Sequence, residues 1–229
     1  MLEHYENAVS RAYRISLGNE GILKIEYPNH MERVFLPRLI ELFHKRYPQI
    51  ELIIKENEQW AMADEIKNGE TDIAVIFPYE LERNTDICLE KMATYNICAV
   101  VNPNHRFANL SKINIEMLAN ETIIMMGRKQ MPNVYQRFTN KFIECGVEPK
   151  KVIETKSMGS ILFMVEIGLG IAFAPSYIKQ VGNQNVVFLD LEDEAFMADI
   201  AIAYLRSNEN PVFKLFMDML KKERQNIIS

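Results

Sequence analysis

The sequence predicts an α/β fold made of two βαβαβ lobes joined by two crossing strands. Three observations carry that expectation. Short apolar runs alternate with helical stripes, and the same alternation returns later in the chain. Two further apolar strands, at residues 96–101 and 200–204, fall outside those runs, one between them and one after both.

The first run opens with a strand over residues 22–27, where apolar side chains alternate, followed by Pro28-Asn29-His30. Leu36, Leu39, Ile40, Phe43 and Tyr47 then recur at helical spacing. Pro37 fits the first turn of that helix and Pro48 closes it. Residues 50–55 read as a second strand. A shorter helix over 60–68 ends at Asn68-Gly69, where glycine supplies the left-handed cap. Residues 72–77 read as a strand covered on both faces, since Ile73 to Phe77 is an unbroken apolar run. Strands separated by helices imply a parallel sheet.

The second run repeats this grammar. Thr122 to Met126 is a strand, and Gly127 begins a loop. Val134, Phe138 and Phe142 stripe a helix that stops at Gly146. Residues 152–155 form a strand, and Met158, Ile161, Leu162 and Val165 stripe a helix ended by Gly168. Residues 171–174 are again apolar, and 186–189 make a short strand. Val212, Leu215, Phe216, Met219 and Leu220 mark a final amphipathic helix. Leu2 to Ser16, with Tyr5, Val9, Ala12 and Tyr13 on one face, reads as a helix outside either lobe. The expected division is therefore residues 1–20 as the end of a linker helix and a connection. Residues 21–95 with 200–229 form the first lobe, and 96–199 the second.

Composition excludes several classes. Of 229 residues, 48% are apolar and 25% charged, which suits a globular chain and not a disordered one. The net charge of −5 comes with no basic stripe of the kind nucleic-acid-binding domains carry. Lys221-Lys222-Glu223-Arg224 ends the last helix, where cations complement the dipole. No signal peptide and no apolar stretch long enough to span a bilayer is present. Cys88, Cys98 and Cys145 are odd in number and lack Cys-x-x-Cys spacing, so they read as buried, inert thiols in a reducing, cytoplasmic compartment.

Catalytic patterns are missing. There is no Gly-x-Ser-x-Gly elbow and no His-Glu-x-x-His. Gly168-Leu169-Gly170 precedes a strand and lacks a third glycine at Phe173, so it reads as a helix cap and a tight turn. His4, His30, His44 and His105 are scattered without metal-ligand spacing, and the carboxylates fall mainly on solvent faces. The chain is expected to be no enzyme, with no cofactor and no metal.

Binding is better supported. In parallel sheets, ligands sit beyond the carboxyl ends of the strands. That rule selects Pro28, Asn29 and His30, the stretch around Gln59, Phe77, Gly127 with Arg128 and Lys129, and Lys156 with Ser157. Several of these open helices, whose unpaired N–H groups favour an anion, and Arg128 and Lys156 add positive charge. A carboxylate-bearing small molecule in a cleft between the lobes is the expected ligand. Arg128, Lys129 and Lys156 also read as solvated loop charges, and His30 and Ser157 as helix caps.

Several segments, in order, resemble one family. They are residues 21–25, Leu36-Pro37, Phe43-His44-Lys45-Arg46-Tyr47-Pro48, Asn68-Gly69-Glu70-Thr71-Asp72-Ile73-Ala74-Val75, Val101-Asn102-Pro103-Asn104-His105-Arg106-Phe107-Ala108, and Gly168-Leu169-Gly170-Ile171-Ala172 to Pro175. Together they look like the effector-binding domain of a LysR-type transcriptional regulator. The resemblance implies a periplasmic binding protein-like fold of type 2 and an effector held in the cleft by the loop from Pro28 to His30, the helix start near Gln59, Gly127-Arg128 and Lys156-Ser157. The chain departs from the family at Lys156, often Asp or Asn, and at Pro28, often a small hydroxyl residue. The family also implies a homodimer, here through the helix from Val34 to Tyr47 and the strand from Ile50 to Lys55. DNA binding belongs to a helix-turn-helix not seen in this chain, so specific operator binding by it is not expected, nor is a membrane partner. A solute-binding protein of a transporter is the alternative reading of the same fold.

Overall fold

The computed structural model describes residues 20–28, 35–81, 84–180, 185–192 and 196–228. The expected helix from Leu2 to Ser16 lies outside them. The chain divides into two compact units, one holding residues up to Ala93 and again from Ile200, the other Thr94–Asp199.

In the first unit, β1 (Gly21–Tyr27) is followed by α1 (Leu36–Arg46), β2 (Ile50–Glu56), α2 (Gln59–Lys67) and β3 (Ile73–Ile76). β1 lies between β2 and β3 and runs parallel to both. β10 (Met197–Leu205) adds to β3 antiparallel, giving the order β2-β1-β3-β10. Sequence spacing dictates the rest. Pro37 sits in the first turn of α1, where its missing N–H costs nothing. His44, Lys45 and Arg46 crowd its last turn against the dipole's negative end. The apolar stripe of α1 meets α5 (Pro211–Ile228), and Phe43 packs its ring against Phe216 at 5.2 Å, both fully buried. On the opposite face, Met62 and Ile66 of α2 pack with Ala74 and Ile76 of β3. A parallel strand cannot leave a face bare, and β3 is buried at every residue, as its unbroken apolar run foretold.

Asp72, inside the Gly69-Glu70-Thr71-Asp72 motif, acts as a brace. Its carboxylate accepts the Lys24 backbone N–H at 2.9 Å and the Asn208 and Asn210 amides at 3.3 and 3.0 Å. Asn210 in turn donates to Ile22 O and accepts the Val212 N–H at the start of α5. One carboxylate thus joins β1, β3 and the last helix.

The second unit repeats the topology. β6 (Thr122–Met126), α3 (Pro132–Glu144), β7 (Lys151–Thr155), α4 (Met158–Glu166) and β8 (Ile171–Pro175) correspond in order to β1 through β3. β6 is parallel to β7 and β8, and β4 (Ile87–Val101) joins β8 antiparallel, so the order β7-β6-β8-β4 matches β2-β1-β3-β10. β9 (Val187–Leu191) pairs with β4 and with the two-residue β5 (Lys112–Ile113). Phe138 of α3 stacks on Phe173 at 4.7 Å and Phe196 at 4.9 Å, the centre of this core. Gly168 is the expected α4 cap, with φ of 78°. Gly170 is required for a different reason: a Cβ there would lie 2.4 Å from Thr122 O, so β8 can start beside β6 only without a side chain. The polar residues of the 101–108 motif are also structural. Asn102 donates to Glu166 O at the end of α4, and Arg106 pairs with Glu121 at 2.7 Å.

The crossing strands are longer than expected. β4 begins at Ile87 and not near Asn96, and β10 runs from Met197 to Leu205. The boundary between the units falls within each of them.

Candidate functional site

Parallel strands place every strand-to-helix loop at one edge of a sheet, and the residues selected from sequence lie on such loops. In the first unit Pro28 follows β1, Gln59 opens α2 after β2, and Phe77 follows β3. Asn29 and His30 lie outside the described residues. In the second unit Gly127 and Arg128 follow β6, and Lys156 and Ser157 follow β7.

Among the described residues of this edge in the first unit, Gln59 and Asn57 are committed to partners within the unit. The Gln59 side chain donates from Nε2 to Phe77 O and accepts the Phe77 N–H at Oε1, both at 3.0 Å. It clips the end of β3 to the start of α2, which makes it a frame residue of the edge. Asn57, two positions earlier, donates its backbone N–H to Tyr27 O at 3.0 Å and accepts the Glu58 N–H at 2.9 Å. Its amide also donates to Glu26 at 3.2 Å and to Glu65 at 2.6 Å. Glu26 is an exception to the expectation that carboxylates fall mainly on solvent faces: at 2% exposure it is buried beneath this turn. β1 is a central strand, so a carboxylate on either of its faces meets a covering helix; that position was the signal in the sequence. Trp60, next to Gln59, stands 61% exposed.

The second unit presents charge. Arg128, Lys129 and Lys156 are exposed, and the Arg128 guanidinium lies over the Tyr135 ring at 4.9 Å. Gly127 is buried; a Cβ there would lie 2.6 Å from Gln130 Oε1 and 3.1 Å from Glu154 Oε2. The Arg128 N–H donates to that same Glu154 oxygen at 3.0 Å. A carboxylate of the chain therefore already occupies this backbone donor, while the Arg128 side chain stays exposed. Ser157 caps α4 by accepting the Ser160 N–H at 3.2 Å, the structural role its position allowed.

Among the described residues no group of three or more His, Cys, Asp or Glu side chains is placed to hold a metal ion. Cys98 is buried, its thiol pushed up by burial and 3.6 Å from Asp190 Oδ1, as suits an unreactive cysteine. Among the described residues no helix is long and apolar enough to cross a membrane. A hollow of about 620 Å³ opens elsewhere on the first unit, lined by α1 and β2 residues including Leu36, Ile40, His44, Leu52 and Ile54. β2 is the edge strand there, and Ile53 and Ile54 are exposed.

Comparison with known proteins gives this geometry a family. A family model described as the LysR substrate binding domain matches residues 16–225. The HTH-type transcriptional regulator AlsR of Bacillus subtilis is 25% identical over 209 residues, covering 91% of this chain and 68% of that protein. The HTH-type transcriptional regulator CysB of Haemophilus influenzae is 26% identical over 75% of this chain, which spans 52% of its length. Among solved structures, the effector binding domain of QuiR in complex with shikimate superposes with a TM-score of 0.78 at 19% identity, over 90% of this chain and 98% of that one. Full-length CbnR complexed with its target DNA gives 0.77 at 13% identity, over 97% of this chain and 75% of that one. The fold these likenesses establish is the periplasmic-binding-protein-like fold of type 2.

The Gln59 clip is open to a direct test. Removing it leaves the Phe77 N–H and C=O short of partners, so Gln59→Ala should lower stability by about 1–2 kcal/mol in urea unfolding. It should also speed hydrogen exchange at Phe77. Unchanged exchange there would contradict the framing role.

Proposed function

Because the chain belongs to the LysR substrate-binding domain family, we propose that it is the effector-sensing regulatory domain of a LysR-type transcriptional regulator. The family match over residues 16–225 carries this reading. A small anionic metabolite binds at the strand-end loops and biases the conformation, which in the whole protein alters how DNA is engaged. Arg128 and Lys156 supply the charge, and Pro28, Asn29, His30, Gln59, Phe77, Gly127 and Ser157 the surrounding loop surface. QuiR's domain holds shikimate, a carboxylate, which supports the anionic assignment. The relatives reported above are named as transcriptional regulators, which favours this reading over a transporter's solute-binding protein. The domain binds and does not catalyse, and it works in the cytoplasm beside DNA.

Self-association belongs to the same proposal. The exposed Ile53 and Ile54 and the hollow between α1 and β2 form an apolar edge fit for a second copy. Unpaired strand edges also invite pairing.

Two measurements test these assignments. In a thermal-shift screen, an organic acid at about one hundred times its Kd stabilises by ~2.7 kcal/mol, raising Tm by roughly 5–10 °C. Arg128→Ala should weaken that acid about tenfold or more; shifts by neutral compounds alone would contradict the anionic assignment. In sedimentation velocity the chain should sediment as a dimer and Ile54→Lys as a monomer. A wild-type monomer at all concentrations would refute the edge.

A further inference from the structure

The turn bearing Gln59 is held from below by a pair of carboxyl groups. Glu26, on the α2 face of β1, and Glu65 of α2 converge on one amide nitrogen, Asn57 Nδ2, at 3.2 and 2.6 Å, close enough for each to shift the other's titration. Two carboxylates held this close repel one another, which favours a proton on one of them. The other groups facing the pair are Lys55 of β2, 3.4 Å from Glu26 and 3.0 Å from Glu65, and Asn57. Thr71, itself only 3% exposed, completes the set by bonding Glu26. Burial, then the neighbouring Glu65, raises Glu26 above the ordinary carboxyl range. The neighbouring Glu26, then Lys55, lowers Glu65 to about 2. Glu26 is the proton carrier and Glu65 the ionised partner.

We propose that Glu26 and Glu65 are positioning residues which, through the Asn57 amide that bridges them, fix the 57–59 turn and the start of α2. Asn57 reaches both carboxyl groups with one amide nitrogen while its backbone holds Tyr27. Its orientation therefore requires the two acids to stay together. Gln59 and its clip to Phe77 follow immediately along the chain. Only the description of this turn as part of an effector-binding edge rests on the function proposed above; the positioning itself does not.

Loss of the Glu26 proton sets two carboxylates against each other with Lys55 as the neighbouring cation, and the turn loosens. The sign follows from linkage. Glu26, raised in the fold, contributes stability that is complete below its ordinary value of 4.5 and is lost as pH rises through the raised value. Glu65, depressed, contributes stability present above 4.5 and lost as pH falls through about 2. The singly protonated pair holds the turn between those limits.

Trp60 reports on this turn without any ligand, since it is the single tryptophan of the chain and adjoins Gln59. Its emission, followed in the whole chain from about pH 4.5 to 8.5, should show one transition in the wild type. Glu26→Gln, whose amide does not titrate, should abolish it. Glu65→Gln, on a more exposed partner, should move it to lower pH, because Glu26 loses its carboxylate neighbour. A flat wild-type titration, or a transition that survives Glu26→Gln unchanged in the folded variant, would overturn the proposal. Either outcome leaves the effector screen untouched, and a failed screen leaves this titration untouched.

Discussion

Two parallel strands cannot be joined by a tight turn; the chain must cross back over the sheet, and a helix makes the crossing. Much in each unit follows from that constraint. The crossings cover both faces, so the central strands become apolar throughout, as in β3 and β8. The same crossings send every strand-to-helix loop to one edge, where helix N-termini leave backbone donors unpaired. The chain solves this problem twice with the same strand order, β2-β1-β3-β10 and β7-β6-β8-β4.

The edge so created is polar, and polar groups there must be met. In the first unit they are met internally, by the Gln59 clip and the Asn57 turn. In the second, Ser157 caps α4 and Glu154 takes the Arg128 N–H, while the cationic side chains stay exposed. One edge is thus a rigid frame and the other supplies charge. Preorganisation of this kind lowers the ordering cost a ligand would otherwise bear.

Periodicity made much of this legible. The stripes through Phe43 and Phe138 and the runs through Ile73 and Ile171 gave the helices and the buried strands to within a residue or two. The first half of β4 escaped because Glu90, Lys91 and Thr94 interrupt its alternation, and its side chains are largely half-buried. β5 is two residues long and exists only through its pairing with β9. At the site, strand ends were readable, since local pattern fixes them. The bonds made there were not: Gln59 to Phe77, Asn57 to Glu26 and Arg128 to Glu154 join residues distant in sequence. Hydropathy treats Glu26 as a solvent residue, and only the central place of β1 between two helix layers says otherwise.

The central claim is that the strand-end loops of this family member receive an organic anion. Amide NMR of the whole chain, titrated with the organic acid that stabilises it most, tests that claim residue by residue. The account predicts chemical-shift changes concentrated at Asn57, Gln59, Phe77, Gly127, Arg128 and Ser157. Changes confined to the α1 and β2 hollow around Ile40, Leu52 and Ile54, with these loops silent, would contradict it.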